Sequence, residues 1–171
     1  IFLLAGPPAV GKSTTARALA AHFEKSIHIP VDDLRDMVIR GLALPGGDWD
    51  EKLVEQLRLA RESAAHMALA YRQAGFTVAL DDFWDPASRL LEYSRLFEEP
   101  QVHRVLLFPS QRAAEERSQK KEGYEFRAEG IRFLYENLAT QSAALRAEGW
   151  LVVDTTDKDA EATVQTILEQ V

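Results

Sequence analysis

Apolar runs of strand length recur along the chain, and each is followed by a stretch with helical spacing. The runs are Ile1-Phe2-Leu3-Leu4-Ala5, Ser26–Val31, Phe76–Leu80, Val102–Phe108 and Trp150–Val153. Four to seven apolar residues bounded by turn signals read as buried strands. Between them, Ala16, Leu19, Ala20 and Phe23 share one helical face within 13–23. A short helical piece fits 34–40, with Asp32 or Asp33 as its N-cap. A long helix fits 50–74, where Leu53, Leu57, Ala60, Ala64, Met67 and Tyr71 form a stripe and Gly75 stops it. Further helices fit 86–98, beginning at Pro86, then 110–121 and 125–148. The last one carries Val164, Ile167, Leu168 and Val171. Strands alternating with helices predict right-handed βαβ crossovers. The expected fold is a three-layer α/β/α domain with a five-stranded parallel sheet, spanning 1–171 as one unit.

The first strand runs into Gly6-Pro7-Pro8-Ala9-Val10-Gly11-Lys12-Ser13-Thr14. This is G-x-x-x-x-G-K-[ST] in the context the phosphate-binding loop requires, with a strand before it and a helix after. The glycines permit close backbone approach. Successive N–H groups then face a phosphate, and the helix N-terminus adds unpaired donors and partial positive charge. Lys12 brings a full charge to the β- and γ-phosphates, and Ser13 is the expected Mg²⁺ ligand.

Three runs close on aspartate, at Asp32, Asp81-Asp82 and Asp154. Ligands bind outside the carboxyl ends of strands in open parallel sheets, so these acids are expected to converge on the phosphate site. Asp81 and Asp82 are candidates for holding Mg²⁺ or the acceptor. Asp32 is the candidate general base, and Arg35, three residues on, either grips the acceptor or pairs with Asp32 or Asp36. Trp49 and Trp84 flank the acceptor side and either line its pocket or simply pack. His22, His28, His66 and His103 have no metal-ligand spacing and are expected to be structural or surface residues.

Composition narrows the partners. The 171 residues carry a formal net charge of −7, which argues against a dedicated nucleic-acid binder. There is no cysteine, hence no disulfide framework and no thiolate metal site. No apolar run approaches the ~18 residues that span a membrane. The opening run is too short for a secretion signal, and a cytoplasmic location is expected.

These residues resemble the small P-loop kinases of the nucleoside-monophosphate-kinase-like group. The likeness is greatest to chloramphenicol phosphotransferase-like proteins and to the kinase domain of polynucleotide 5′-kinases. In the former the second strand closes on a Val-Asp whose aspartate is the base, matched by Val31-Asp32, and the third on Asp-Asp, matched by Asp81-Asp82. A Val-Asp-Thr-Thr-x-Lys stretch near the adenine is matched by Val153–Lys158, which implies Thr155 and Thr156 at the cofactor. The Asp-Asp-x-Arg of polynucleotide kinases is matched by Asp32-Asp33-Leu34-Arg35. The resemblance implies ATP, Mg²⁺ and transfer to a hydroxyl of a small antibiotic-like or metabolite acceptor. It also implies a short helical lid near 110–130, from which Arg117, Lys120 or Lys121 would close on the phosphates. A polynucleotide 5′-hydroxyl kinase is the enzymatic alternative, and a catalytically silent ATP-binding protein the non-enzymatic one. The Asp-x-x-Gly and Asn-Lys-x-Asp stretches of a GTPase switch do not occur in the sequence.

Overall fold

The computed structural model describes residues 1–43, 50–84, 90–119 and 128–171. Its sheet is made of β1 (Phe2–Gly6), β2 (Ser26–Pro30), β3 (Thr77–Phe83), β4 (His103–Leu107) and β5 (Trp150–Val153). The strands are all parallel, in the order β2-β3-β1-β4-β5. The predicted five-stranded α/β architecture is therefore the observed one. The helices are α1 (Lys12–Ala21), α2 (Val31–Asp36), α3 (Glu51–Gln73), α4 (Ser94–Phe97), α5 (Gln111–Gln119), α6 (Ala128–Ala147) and α7 (Ala160–Leu168). No helix among the described residues is long and apolar enough to cross a membrane.

Strand alternation divides the core. Phe2, Leu4 and Ala79 pack with Leu19 of α1 and with Val164 and Ile167 of α7. Leu3, Ala5, Val78 and Leu80 pack with Ala60, Ala64 and Ala68 of α3 and Leu138 and Leu145 of α6. The sheet is covered on both faces, as parallel sheets require.

Some boundaries differ from the sequence reading. α2 begins at Val31, with Pro30 as N-cap and no side-chain cap. Asp32 and Asp33 lie in its first turn instead of capping it, where the helix dipole favours acids. The helix expected over 86–98 is, among the described residues, only a 3₁₀ turn at Leu91–Tyr93 followed by α4. Leu90 at φ 59 directly precedes that turn, and a left-handed residue cannot continue a right-handed helix. Tyr71, expected in the buried stripe of α3, is 37% exposed.

The strand tips crowd at Gly6. A Cβ there would lie 2.5 Å from the main-chain oxygen of Leu107, so β1 and β4 approach only because the residue has no side chain. Gly6→Ala is expected to cost about 1–3 kcal/mol of stability. The urea midpoint measures this, and an unchanged midpoint would mean that the tips part freely.

Candidate active site

The loop from β1 to α1 has the geometry of an anion nest. Ala9 (φ 61) and Gly11 (φ 93) are left-handed, which turns neighbouring amides toward one side. Gly11 is the N-cap of α1 and offers no side chain to cap it. The first helical donors have no intrahelical acceptor and face the loop mouth. The left-handed conformation at Ala9 costs on the order of 1 kcal/mol, a strain of the kind found at binding sites. The Lys12 ammonium donates to the Pro7 carbonyl at 2.9 Å and so lies folded over the loop. Pro7, Pro8 and Val10 complete the loop, with Val10 buried beneath it and Thr14 exposed on the first turn of α1.

The two aspartates of β3 point opposite ways. β3 extends through Phe83, so Asp81 and Asp82 are both strand residues and face opposite layers. Asp81 shares the face of Ala79, toward α1. It accepts from the Ser13 hydroxyl at 2.8 Å and pairs with His28 Nε2 at 2.6 Å. His28 comes from β2, where it is in register with Ala79, the residue two before Asp81 on that face. This histidine, expected to be structural or on the surface, is a partner of Asp81 that sequence reasoning did not foresee. The only signal was its place on a strand next to an aspartate-tipped one.

Asp82 faces α3 and is withdrawn from solvent, 2% exposed. It accepts from Arg61 Nε at 2.7 Å and from the Tyr93 hydroxyl at 3.0 Å, and Arg61 Nη1 also donates to Glu92 at 2.9 Å. Burial pushes the Asp82 carboxyl above its ordinary value; Arg61 draws it partway back, and the charge of Asp32 adds to the rise. Burial alone would lower Arg61, but Asp82 and Glu92 overcome this and hold it firmly protonated. The expectation that Asp82 holds metal beside Asp81 is therefore corrected. Its carboxylate is committed to a buried ion pair on the opposite side of the strand.

Trp84 takes the second of its two expected roles, packing, and not the substrate contact. It is 0% exposed and meets Trp150 edge-to-face at 5.4 Å, so it is core and lines no acceptor pocket. Trp49, Lys120 and Lys121 lie outside the described residues, as do the loop residues 44–49 and the middle of the expected lid.

At the tip of β2, the Asp32 side chain is 44% exposed and lies 3.6 Å from Arg35 Nη1. Arg35 is buried, 6% exposed, and donates to Asp36 at 3.1 Å. On the other side of β1, Arg117 Nη2 donates to the carbonyls of Thr155 and Thr156 at 2.7 and 3.0 Å. Arg117, Thr155 and Lys158 enclose a cavity of about 180 Å³ with Gly11 and Thr14. Thr156 is used elsewhere: its hydroxyl donates to Asp154 at 2.6 Å and accepts from Ser110 N–H at 2.8 Å. Asp154 thus closes its own turn instead of joining the phosphate site. Those hydrogen bonds from Thr156 hold its carboxyl below the ordinary value.

The donor set fits a magnesium nucleotide. Ser13 and Asp81 place a hydroxyl and a carboxylate side by side at the mouth of the nest, both hard oxygen donors. Among the described residues no group of three His, Cys, Asp or Glu side chains forms a metal cage. An ion here would take much of its shell from phosphate and water, as Mg²⁺ commonly does.

A central nest-bearing strand, flanked by an aspartate-tipped strand and wrapped by helices on both faces, defines the P-loop kinase fold. The sequence matches the AAA_33 family model, described as an AAA domain, over residues 1–148, and the chain belongs to that family. No curated protein sequence matches it. Among solved structures, the tunicamycin resistance protein of Deinococcus radiodurans is similar at a TM-score of 0.70 and 17% identity, covering 99% of this chain and 93% of that one. A sugar kinase from a Janibacter species gives 0.67 and 20%, covering 98% and 91%. Shikimate kinase from Acinetobacter baumannii, solved with shikimate, gives 0.68 and 17%, covering 98% and 90%. At these identities the likeness is one of fold.

Proposed function

We propose that the protein is a kinase that moves the γ-phosphate of Mg-ATP to a hydroxyl of a small molecule. The observation that carries the reading is the 2.8 Å bond between Ser13 and Asp81 at the mouth of the nest. Bound Mg-ATP would supply the phosphoryl group, with the ion offsetting its negative charge. The main-chain donors of residues 9–14 hold the phosphates, and Lys12 swings from Pro7 onto them. Ser13 and Asp81 would hold the ion, and His28 fixes the carboxylate from behind. The cavity between Arg117, Thr155 and α1 takes the nucleoside.

Asp32 stands at the other rim and receives the proton of the acceptor hydroxyl as that oxygen attacks. The new bond joins the acceptor oxygen to phosphorus, the bond from phosphorus to the β-side oxygen breaks, and ADP leaves. Arg35, bound to Asp32 and Asp36, keeps that carboxylate aimed at the acceptor. Asp82 and Arg61 support this rim from within the core and do not touch the reacting atoms.

ADP release against a panel of alcohols tests it. Asp32→Asn is expected to bind ATP as the parent does and to lose about 10²-fold or more in acceptor-dependent turnover. Full turnover in that variant would remove the base assignment.

A further inference from the structure

The turn from β5 into α7 is held from several sides at once. Phe108 N–H donates to the Val153 carbonyl at 2.9 Å, which carries the β4–β5 pairing up to the turn. Inside it, Thr156 N–H donates to Asp154 Oδ1 at 2.9 Å, and Lys158 Nζ donates to the Asp154 carbonyl at 3.1 Å. Ser110 N–H reaches the Thr156 hydroxyl from the chain just past β4. The bonds from Arg117 are of another kind. A single nitrogen, Nη2, meets the successive carbonyls of Thr155 and Thr156. Each of its two hydrogens serves one carbonyl, so a rigid planar group fixes the directions of two peptide units.

The arginine also has a firm base. Ala114, Arg117 and Ser118 share one face of α5, and Ala114 and Ser118 are buried. The turn is thereby coupled to a packed helix. It also forms part of the cavity that the kinase reading gives to the nucleoside, because Thr155 and Lys158 line that cavity with Arg117. Moving Arg117 onto a phosphate would break both bonds to the turn. Each is charge-assisted, roughly twice as strong as a neutral hydrogen bond. Left in place, the guanidinium presents a wall whose shape is set before the ligand arrives, which lowers the ordering cost of binding.

We infer that Arg117 is a positioning residue that clamps the Thr155–Thr156 turn as a wall of the base site and leaves the phosphates to the nest. The inference rests on the kinase reading. It gives Arg117 a part different from the phosphate contact that the family resemblance implies.

The two parts differ in which ligand suffers when the side chain is removed. The test titrates the full chain, with Mg²⁺, against a non-hydrolysable ATP analogue and against inorganic tripolyphosphate, and reads affinity by calorimetry. Both probes carry three phosphates, and only the analogue carries a nucleoside. Arg117→Met should weaken the analogue about tenfold, the scale of one lost charge-assisted hydrogen bond, and leave tripolyphosphate unchanged. Thr156→Val keeps the arginine and removes the hydroxyl that ties the turn to Asp154 and Ser110. It should show the same selective loss, and it carries the test alone if the unfolding midpoint shows that Arg117→Met does not fold. Equal weakening of both probes in either variant would overturn the inference, since a phosphate contact or a general disturbance would then be the cause. So would unchanged affinity for the analogue, or a parent protein that binds the analogue no more tightly than tripolyphosphate. If the parent binds neither probe, the kinase reading itself falls and takes the inference with it.

Discussion

Replacing Lys12 by alanine is expected to lower phosphoryl transfer by about 10³-fold or more while the protein stays folded. The magnitude follows from what a full charge contributes at a transferring phosphoryl group, where a single cationic side chain is worth about 10³–10⁵. The fold should be indifferent, because Lys12 is only half-buried and its ammonium rests on a loop carbonyl at 2.9 Å. Steady-state ADP release beside a thermal melt separates the two effects. Near-parental turnover in a folded variant would mean that the nest does not hold the reacting phosphates. The parallel measurement on Gly6→Ala should show the reverse pattern, with stability falling first.

The second large effect lies in the core. Arg61→Met should destabilise the fold by about 3–5 kcal/mol, because it leaves the Asp82 carboxylate buried with Tyr93 alone. Removing the charge as well, in Arg61→Met with Asp82→Leu, should restore part of the loss, since the buried carboxylate is gone while Glu92 and the Tyr93 hydroxyl still lack their partners. The deficit of the single variant should also depend on pH. Without Arg61, burial raises the Asp82 carboxyl further above its ordinary 3.8, so the folded state binds a proton more readily than the unfolded one. Stability then falls as pH climbs from 3.8 through the raised value, and the deficit is smallest in acid. Urea midpoints across that range measure it. An equal deficit at every pH would show that Arg61 contributes by packing and not by charge.

Much of this was readable before any coordinates. Gly6 to Thr14 announced both the nest and its place between strand and helix, and the apolar runs gave the strand number. Family membership and the sheet agree with that reading. What the pattern hid was direction. Asp81-Asp82 looked like a doubled acidic tip because the apolar run ends at Leu80, whereas β3 continues to Phe83. Once both residues lie in a strand, the two-residue period sends one toward Ser13 and the other toward Arg61. Arg61 itself was invisible because a helical stripe is read from its apolar members, and a buried arginine is justified only by a partner 21 positions away. For Trp84, proximity in sequence to Asp82 kept a pocket role open beside packing. One step past the strand, it turns into the core against Trp150, whose packing partner no local window contains.

The strand order has an evolutionary corollary. With β1 in the middle, β3 and β2 deliver Asp32 to one flank, while β4 and β5 deliver Arg117 and Thr155 to the other. The two flanks share little besides the central strand and its loop. If the kinase proposed above is the activity, mutational drift on the first flank can explore new recipient molecules while the use of the phosphate donor on the second is left intact. On that reading, a lineage built on this plan would diversify quickly in what it modifies and slowly in what it spends.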